Sequence, residues 1–167
     1  MISKKIIINS FKRIIFLFQE TKKIEDIYNY YKVEGLYSTS GQPSKSDFFI
    51  IAEKNYEIII NLAPKSMIGK YILKEDKILN SLNIKYIHIP VNFNNPTEYD
   101  FEQFSNSITS NKNSKIWVHC VANMRVSAFT YKFKRDVLNY KHDQIINDLN
   151  AIWRPNKVWS DFLKLPQ

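Results

Sequence analysis

Two short runs, Ile58-Ile59-Ile60 and Ile116-Trp117-Val118, each closed by polar residues, constrain this chain more than any other feature. They are apolar at every position, β-branched or aromatic, and too short for a helix. That is the pattern of a strand buried on both faces, as in a parallel sheet covered by helices on both sides. The surrounding segments alternate accordingly. Val33 to Ser38 reads as a short strand, Ser40-Gly41-Gln42-Pro43 as a turn, and Ser44 with Asp47 as a capping box opening a helix through Lys54. Glu57 to Leu62 is the first buried strand, followed by a predicted helix over roughly 70–82 and an alternating strand over Lys85 to Val91. Asn95 is a natural N-cap with Pro96 at the first helical position, and Phe101, Phe104 and Ile108 mark that helix's inner face. After the strand Lys115 to His119, Val126, Phe129, Phe133 and Val137 fall at helical spacing. Ile145, Leu149 and Ile152 mark a further helix stopped by Pro155, and Asn156 caps a last short one carrying Trp159, Phe162 and Leu163. Strands alternating with helices predict an α/β fold with a mostly parallel sheet.

Neither a repeat nor a Gly/Ser linker divides the 167 residues, so one α/β domain over 33–167 is expected, behind a helical lead-in over 1–32 that carries Ile14, Ile15, Phe18 and Ile27. With 44% apolar residues the chain can bury a core unaided. A single cysteine excludes an internal disulfide and any zinc site needing two thiolates. His88, His119 and His142 lie in unrelated segments, so no metal is expected. The three glycines match neither a dinucleotide fingerprint nor a Walker loop, which argues against nucleotide cofactors. Ile6 to Phe18 is broken by Asn9, Ser10, Lys12 and Arg13, unlike a membrane span or secretion signal, so the expectation is a cytoplasmic protein. Of the net charge of +8, the largest surplus lies in residues 111–167, with ten basic and four acidic side chains. Such a face is most often solvated surface, though it also suits anionic ligands; nucleic acid is not an expected partner.

In parallel sheets ligands bind beyond the carboxyl ends of the strands. The only cysteine, Cys120, stands there, after His119 and before Val121-Ala122-Asn123-Met124-Arg125-Val126-Ser127. Amides of a tight loop and the following helix's N-terminus form an anion site, and the same partial charge favours a thiolate. Arg125 adds a planar fork suited to phosphate oxygens. A lone cysteine is usually an inert core thiol, but this strand, thiol, loop, arginine, helix order points to a nucleophile. For His119 and Ser127 the structural readings, a satisfied strand-end histidine and a first-turn helix residue, stand beside the functional ones.

At these residues the sequence resembles the cysteine-dependent protein tyrosine and dual-specificity phosphatase superfamily, whose loop reads His-Cys, five residues, Arg, then Ser or Thr. It is similar to a bacterial branch of small phosphatase-like proteins at Leu36 to Pro43, Ile60-Asn61-Leu62, His88 to Val91 with Asn95-Pro96-Thr97, His119 to Phe129, and Trp153-Arg154-Pro155-Asn156 with Trp159. The resemblance implies a sheet of four to five strands flanked by helices. It implies that Cys120 attacks a phosphomonoester to give a cysteinyl-phosphate, while Arg125 and the amides of Val121, Ala122, Asn123, Met124 and Val126 hold the phosphoryl oxygens. His119 would orient the loop and Ser127 would bond the departing sulfur. No cofactor is implied; the partners are a phosphorylated protein or a small phosphomonoester, with phosphate, sulfate or vanadate as ligands.

The chain departs from that pattern twice. Arg125 follows Cys120 after four residues while Ser127 keeps its usual offset; either the loop is one residue tighter, or Val126 occupies the arginine's place. Without the loop's frequent glycine, Asn123 is the residue to take a left-handed conformation. Where phosphatases carry a general-acid Asp this chain has Asn92, Asn94 and Asn95, which leaves Glu98 or Asp100, both at a helix start where carboxylates also favour the dipole. The shorter loop admits a second reading, a rhodanese-like sulfurtransferase with a Cys120 persulfide. A third is a non-catalytic phosphate-binding or phosphoprotein-binding module.

Overall fold

The apolar runs of the sequence become the middle of a five-stranded sheet. The computed structural model describes residues 23–65 and 74–166 and, as backbone, 67–68 and 71–72. The strands are β1 (Tyr31–Val33), β2 (Tyr37–Ser40), β3 (Ile58–Asn61), β6 (Lys85–His88) and β7 (Ile116–His119), in the order β1-β2-β7-β3-β6; β4 (Met67–Ile68) and β5 (Tyr71–Ile72) form a separate hairpin. All pairings in the main sheet are parallel except β1 with β2. The helices are α1 (Lys45–Glu53), α2 (Glu75–Ser81), α3 (Glu98–Ser110), α4 (Met124–Asp136), α5 (His142–Ile152) and α6 (Lys157–Leu163).

Every residue of β3 and β7 is buried, as helix layers on both faces require. The two-residue period sorts them. Ile58, Ile60, Ile116 and Val118 face a core shared with Phe101 and Phe104 of α3, Phe129 of α4, Leu149 of α5 and Trp159 of α6. Ile59 and Trp117 face the opposite core, with Phe48 and Ile51 of α1 and Leu79 of α2. Registration places Ser40 beside His119, His119 beside Asn61, and Asn61 beside His88. These four residues form one row along the carboxyl edge of the sheet.

The structure corrects several boundaries. The strand expected over Val33 to Ser38 is a hairpin, because Gly35 takes φ +72° and lets Leu36 N donate back to Val33 O at 3.0 Å. The helix expected over 70–82 starts only at Glu75, since Tyr71 and Ile72 pair with Ile68 and Met67. The strand expected to reach Val91 ends at His88. Helix α3 is capped by Thr97, not Asn95: the Thr97 hydroxyl accepts from Asp100 N at 3.1 Å and Asp100 Oδ2 accepts from Thr97 N at 3.0 Å. The capping box of Ser44 and Asp47 and the Asn156 cap form as read from sequence. Of the lead-in, residues 1–22 lie outside the described residues; 23–32 hold a short 3-10 turn, Ile24–Asp26, and the start of β1.

Candidate active site

Cys120 follows β7 directly, and its loop is held by its neighbours through the side that carries its carbonyls. Val121 O accepts from Gln42 N at 3.0 Å, and Ala122 O accepts from Asn29 Nδ2 at 3.2 Å. Asn123 then turns the chain at φ +64° and ψ −1°, with its side-chain amide donating to Asn29 O at 2.7 Å and Thr39 Oγ1 at 2.9 Å. Helix α4 begins at the next residue. Gly41 pairs with Ala122 across the loop. A β-carbon there would stand 2.4 Å from Tyr28 Cδ1 and 2.9 Å from Val121 O, so only glycine permits this approach.

With its carbonyls occupied, the loop has amides to spare. The N–H groups of Val121, Ala122, Met124, Arg125 and Val126 find no acceptor among the described residues. The last three belong to the first turn of the 13-residue α4, where unpaired amides and the helix dipole together favour an anion. Cys120 and His119 are wholly buried at the base of this turn.

At the short spacing Val126 and Arg125 go to different places. Val126 is buried in the core, whereas Arg125, part-exposed, donates through Nε to Val91 O at 2.9 Å and lies with its guanidinium 5.1 Å from the centre of the Phe93 ring. Its terminal Nη groups have no hydrogen-bond partner among the described residues. Ser127 Oγ donates to Met124 O at 3.0 Å and accepts from Trp153 Nε1 at 3.1 Å. Trp159 Nε1 donates to Phe93 O at 2.9 Å, so α6 and Arg125 together pin the 91–93 segment against the loop.

The two carboxylates expected near the leaving group have structural partners. Asp100 Oδ2 accepts from the Thr97 hydroxyl at 2.8 Å as well as from its amide. Glu98, 60% exposed, is 3.3 Å from Lys132 Nζ.

Beneath the loop lies a carboxylate that the sequence did not single out. Glu75, in the first turn of α2, is 1% exposed. Gln42 Nε2 donates to its Oε1 and Asn61 Nδ2 to its Oε2 at 2.9 Å, and that same Oε2 is 3.3 Å from His119 Nε2. The last contact has the distance of an ion pair without hydrogen-bond alignment, and His119 Nδ1 has no partner among the described residues.

Residues 4–153 match the family model described as a DSP-PTPase phosphatase fused to NAD+ kinase. The chain belongs to this phosphatase family. It lies within the cysteine-dependent tyrosine and dual-specificity phosphatase superfamily, and the match favours neither the sulfurtransferase nor the non-catalytic alternative. Among curated proteins no match is found. The fold is similar to that of a protein from Shewanella putrefaciens assigned as a phosphatase, at 26% identity over 84% of this chain and 92% of that one, TM-score 0.72. It also matches the catalytic core of the PP-IP phosphatase SIW14 from S. cerevisiae at 17% identity, 84% and 86% coverage and TM-score 0.69. A third match, from Neisseria meningitidis, has 19% identity, 79% and 94% coverage and TM-score 0.63.

In this phosphatase fold Cys120, His119, Arg125, Ser127 and the loop amides meet at one end of the sheet, while Asp100 and Glu98 stay with their caps and ion pairs. Sequence reasoning missed Glu75 because its helix was drawn from residue 70, where a carboxylate on a mid-helix face carries no signal. The signal lay elsewhere: the Gln42 and Asn61 of two resemblance segments both donate to Glu75.

Proposed function

We propose that the chain hydrolyses phosphomonoesters through a cysteinyl-phosphate on Cys120. The observation that carries this reading is the set of unpaired loop and helix amides around Cys120, flanked by an arginine whose terminal nitrogens are free. The Cys120 thiolate attacks phosphorus in line and the bond to the leaving oxygen breaks. The amides and Arg125 carry the charge on the three equatorial oxygens, the dominant contribution in phosphoryl transfer. The leaving oxygen departs unprotonated when it is an aryl oxyanion; to protonate a poorer leaving group, Glu98 would have to leave Lys132 or Asp100 its Thr97 cap. Water then attacks phosphorus, the sulfur leaves as thiolate, and inorganic phosphate is released. Ser127, held by Trp153 Nε1, turns its hydroxyl from Met124 O to donate a hydrogen bond to the departing sulfur. The substrate class is a phosphotyrosine-like or other accessible phosphomonoester, on a protein or a small molecule, and no metal or cofactor enters any step.

The purified protein is expected to turn over p-nitrophenyl phosphate between about pH 5 and 7 with inhibition by vanadate. Cys120→Ser is expected to remove that activity. Turnover equal in wild type and Cys120→Ser, or none in either, would sink the reading.

A further inference from the structure

Gln42 lies in the turn after β2, Asn61 ends β3, Glu75 opens α2 and His119 ends β7, so four separate segments meet at one buried carboxylate. The cost of burying such a group is high unless it is held by donors and opposed by a cationic or polarisable partner. Gln42 and Asn61 supply the donors. Both are themselves fastened to the site: Gln42 N donates to Val121 O, and Asn61 Oδ1 accepts from Ala63 N at 2.7 Å while Asn61 pairs in register with His119. Among the described residues, Glu75 is opposed by the imidazole of His119, wholly buried, with Nε2 at 3.3 Å and Nδ1 without a partner there. Nothing else among the described residues gives that ring a polar contact, so its orientation rests on Glu75 and on edge packing by Phe48.

We infer that Glu75 is a positioning residue of the phosphatase site, acting through His119 on the loop that starts at Cys120. The inference rests on the phosphatase reading for its relevance to turnover, but not for its effect on anion binding. Cys120 follows His119 directly, and its amide reaches Ser40 O at only 3.4 Å, a weak tether. A fixed His119 ring therefore holds the start of the loop where the strand's own hydrogen bonds are giving out. Removing the charge frees the ring, and the unpaired loop amides that would hold an anion lose their fixed placement.

A double-mutant cycle tests the inference, with the dissociation constant of inorganic phosphate measured by calorimetry on the full chain beside kcat/KM for p-nitrophenyl phosphate. Glu75→Gln is expected to weaken phosphate binding about tenfold and to lower kcat/KM by at least as much, at temperatures well below its melting point. In the His119→Asn background the same change is expected to alter either quantity by less than about twofold, because the route is already cut. Equal factors in both backgrounds, or wild-type phosphate affinity in Glu75→Gln despite a lower melting temperature, would overturn it: Glu75 would then be a structural carboxylate only. Should Glu75→Gln not fold, Glu75→Asp keeps the charge, shifts the carboxylate by one methylene, and is expected to show a smaller loss with the same non-additivity. Phosphate binding and a coupled cycle without turnover would refute the phosphatase reading and leave this one standing. Turnover with an uncoupled cycle would do the reverse, and a wild type that binds no phosphate would refute both.

Discussion

Asn123 does two jobs that glycine could only share by half. Its backbone takes the left-handed turn at φ +64°, and its side-chain amide bonds Asn29 O and Thr39 Oγ1, tying the loop to the segment before β1 and to β2. Asn123→Gly keeps the turn and loses both bonds, for an expected cost of about 1–3 kcal/mol. Asn123→Ala loses the bonds and adds about 1–2 kcal/mol of left-handed strain. Urea unfolding is expected to rank wild type above Gly above Ala; an Ala variant as stable as the Gly one would show that the turn is not what Asn123 secures. The left-handed residue was legible because the loop contains no glycine and Asn tolerates that region. Its partners were not legible, since Asn29 and Thr39 are 94 and 84 residues away in sequence.

Helix α3 shows how an element chooses its own beginning. Asn95 and Thr97 each have an acid three residues on, so both could open a capping box. The tie is broken from outside the helix: Glu98 turns toward Lys132 of α4, and Asp100 remains to close the box with Thr97. Thr97→Ala is expected to cost about 1 kcal/mol, or roughly 2–4 °C in melting temperature. Asn95→Ala is expected to cost less than about 0.5 kcal/mol. A larger loss from Asn95→Ala than from Thr97→Ala in thermal melts would place the cap where the sequence alone suggested it. Helix α2 is the harder lesson. Tyr71 and Ile72 fit a helical face as well as a strand, and only pairing with Met67 and Ile68 decides that they form a hairpin, which moves Glu75 from mid-helix to the first turn.

Across the whole molecule, the antiparallel edge is fastened to the helical layer at Asp148. Tyr31 of β1 donates to its Oδ1 at 2.6 Å and Lys134 of α4 to its Oδ2 at 2.6 Å. Burial alone would raise the Asp148 carboxyl, but the bonds from Lys134 and Tyr31 outweigh it and hold the group below its ordinary range. Burial, then the bond to Asp148 and its charge, push the Tyr31 phenol from 10.0 up to about 12. A lowered carboxyl contributes stability above its unfolded value near 4 that is lost as pH falls through the folded one. A raised phenol contributes stability below about pH 10 that is lost as pH rises toward its folded value. Melting temperature is therefore expected to hold level from about pH 5 to 9 and fall on both sides. Asp148→Asn should flatten the acid limb and Tyr31→Phe the alkaline one; unchanged limbs in both variants would show that the fastening is not coupled to protons. The same scale separates what the sequence by itself determined from what needed the fold. Local chemistry determined the buried strands, most caps, the helix faces and the thiol loop with its left-handed Asn123, because propensity, periodicity and turn geometry act within a few residues. The hairpin at β4 and β5, the cap at Thr97, the arginine's seat on Val91 and Phe93, and the convergence of Gln42, Asn61 and His119 on Glu75 were decided by tertiary structure. Each depends on a partner brought close only when the parallel sheet aligns its carboxyl ends, and no local rule contains that alignment.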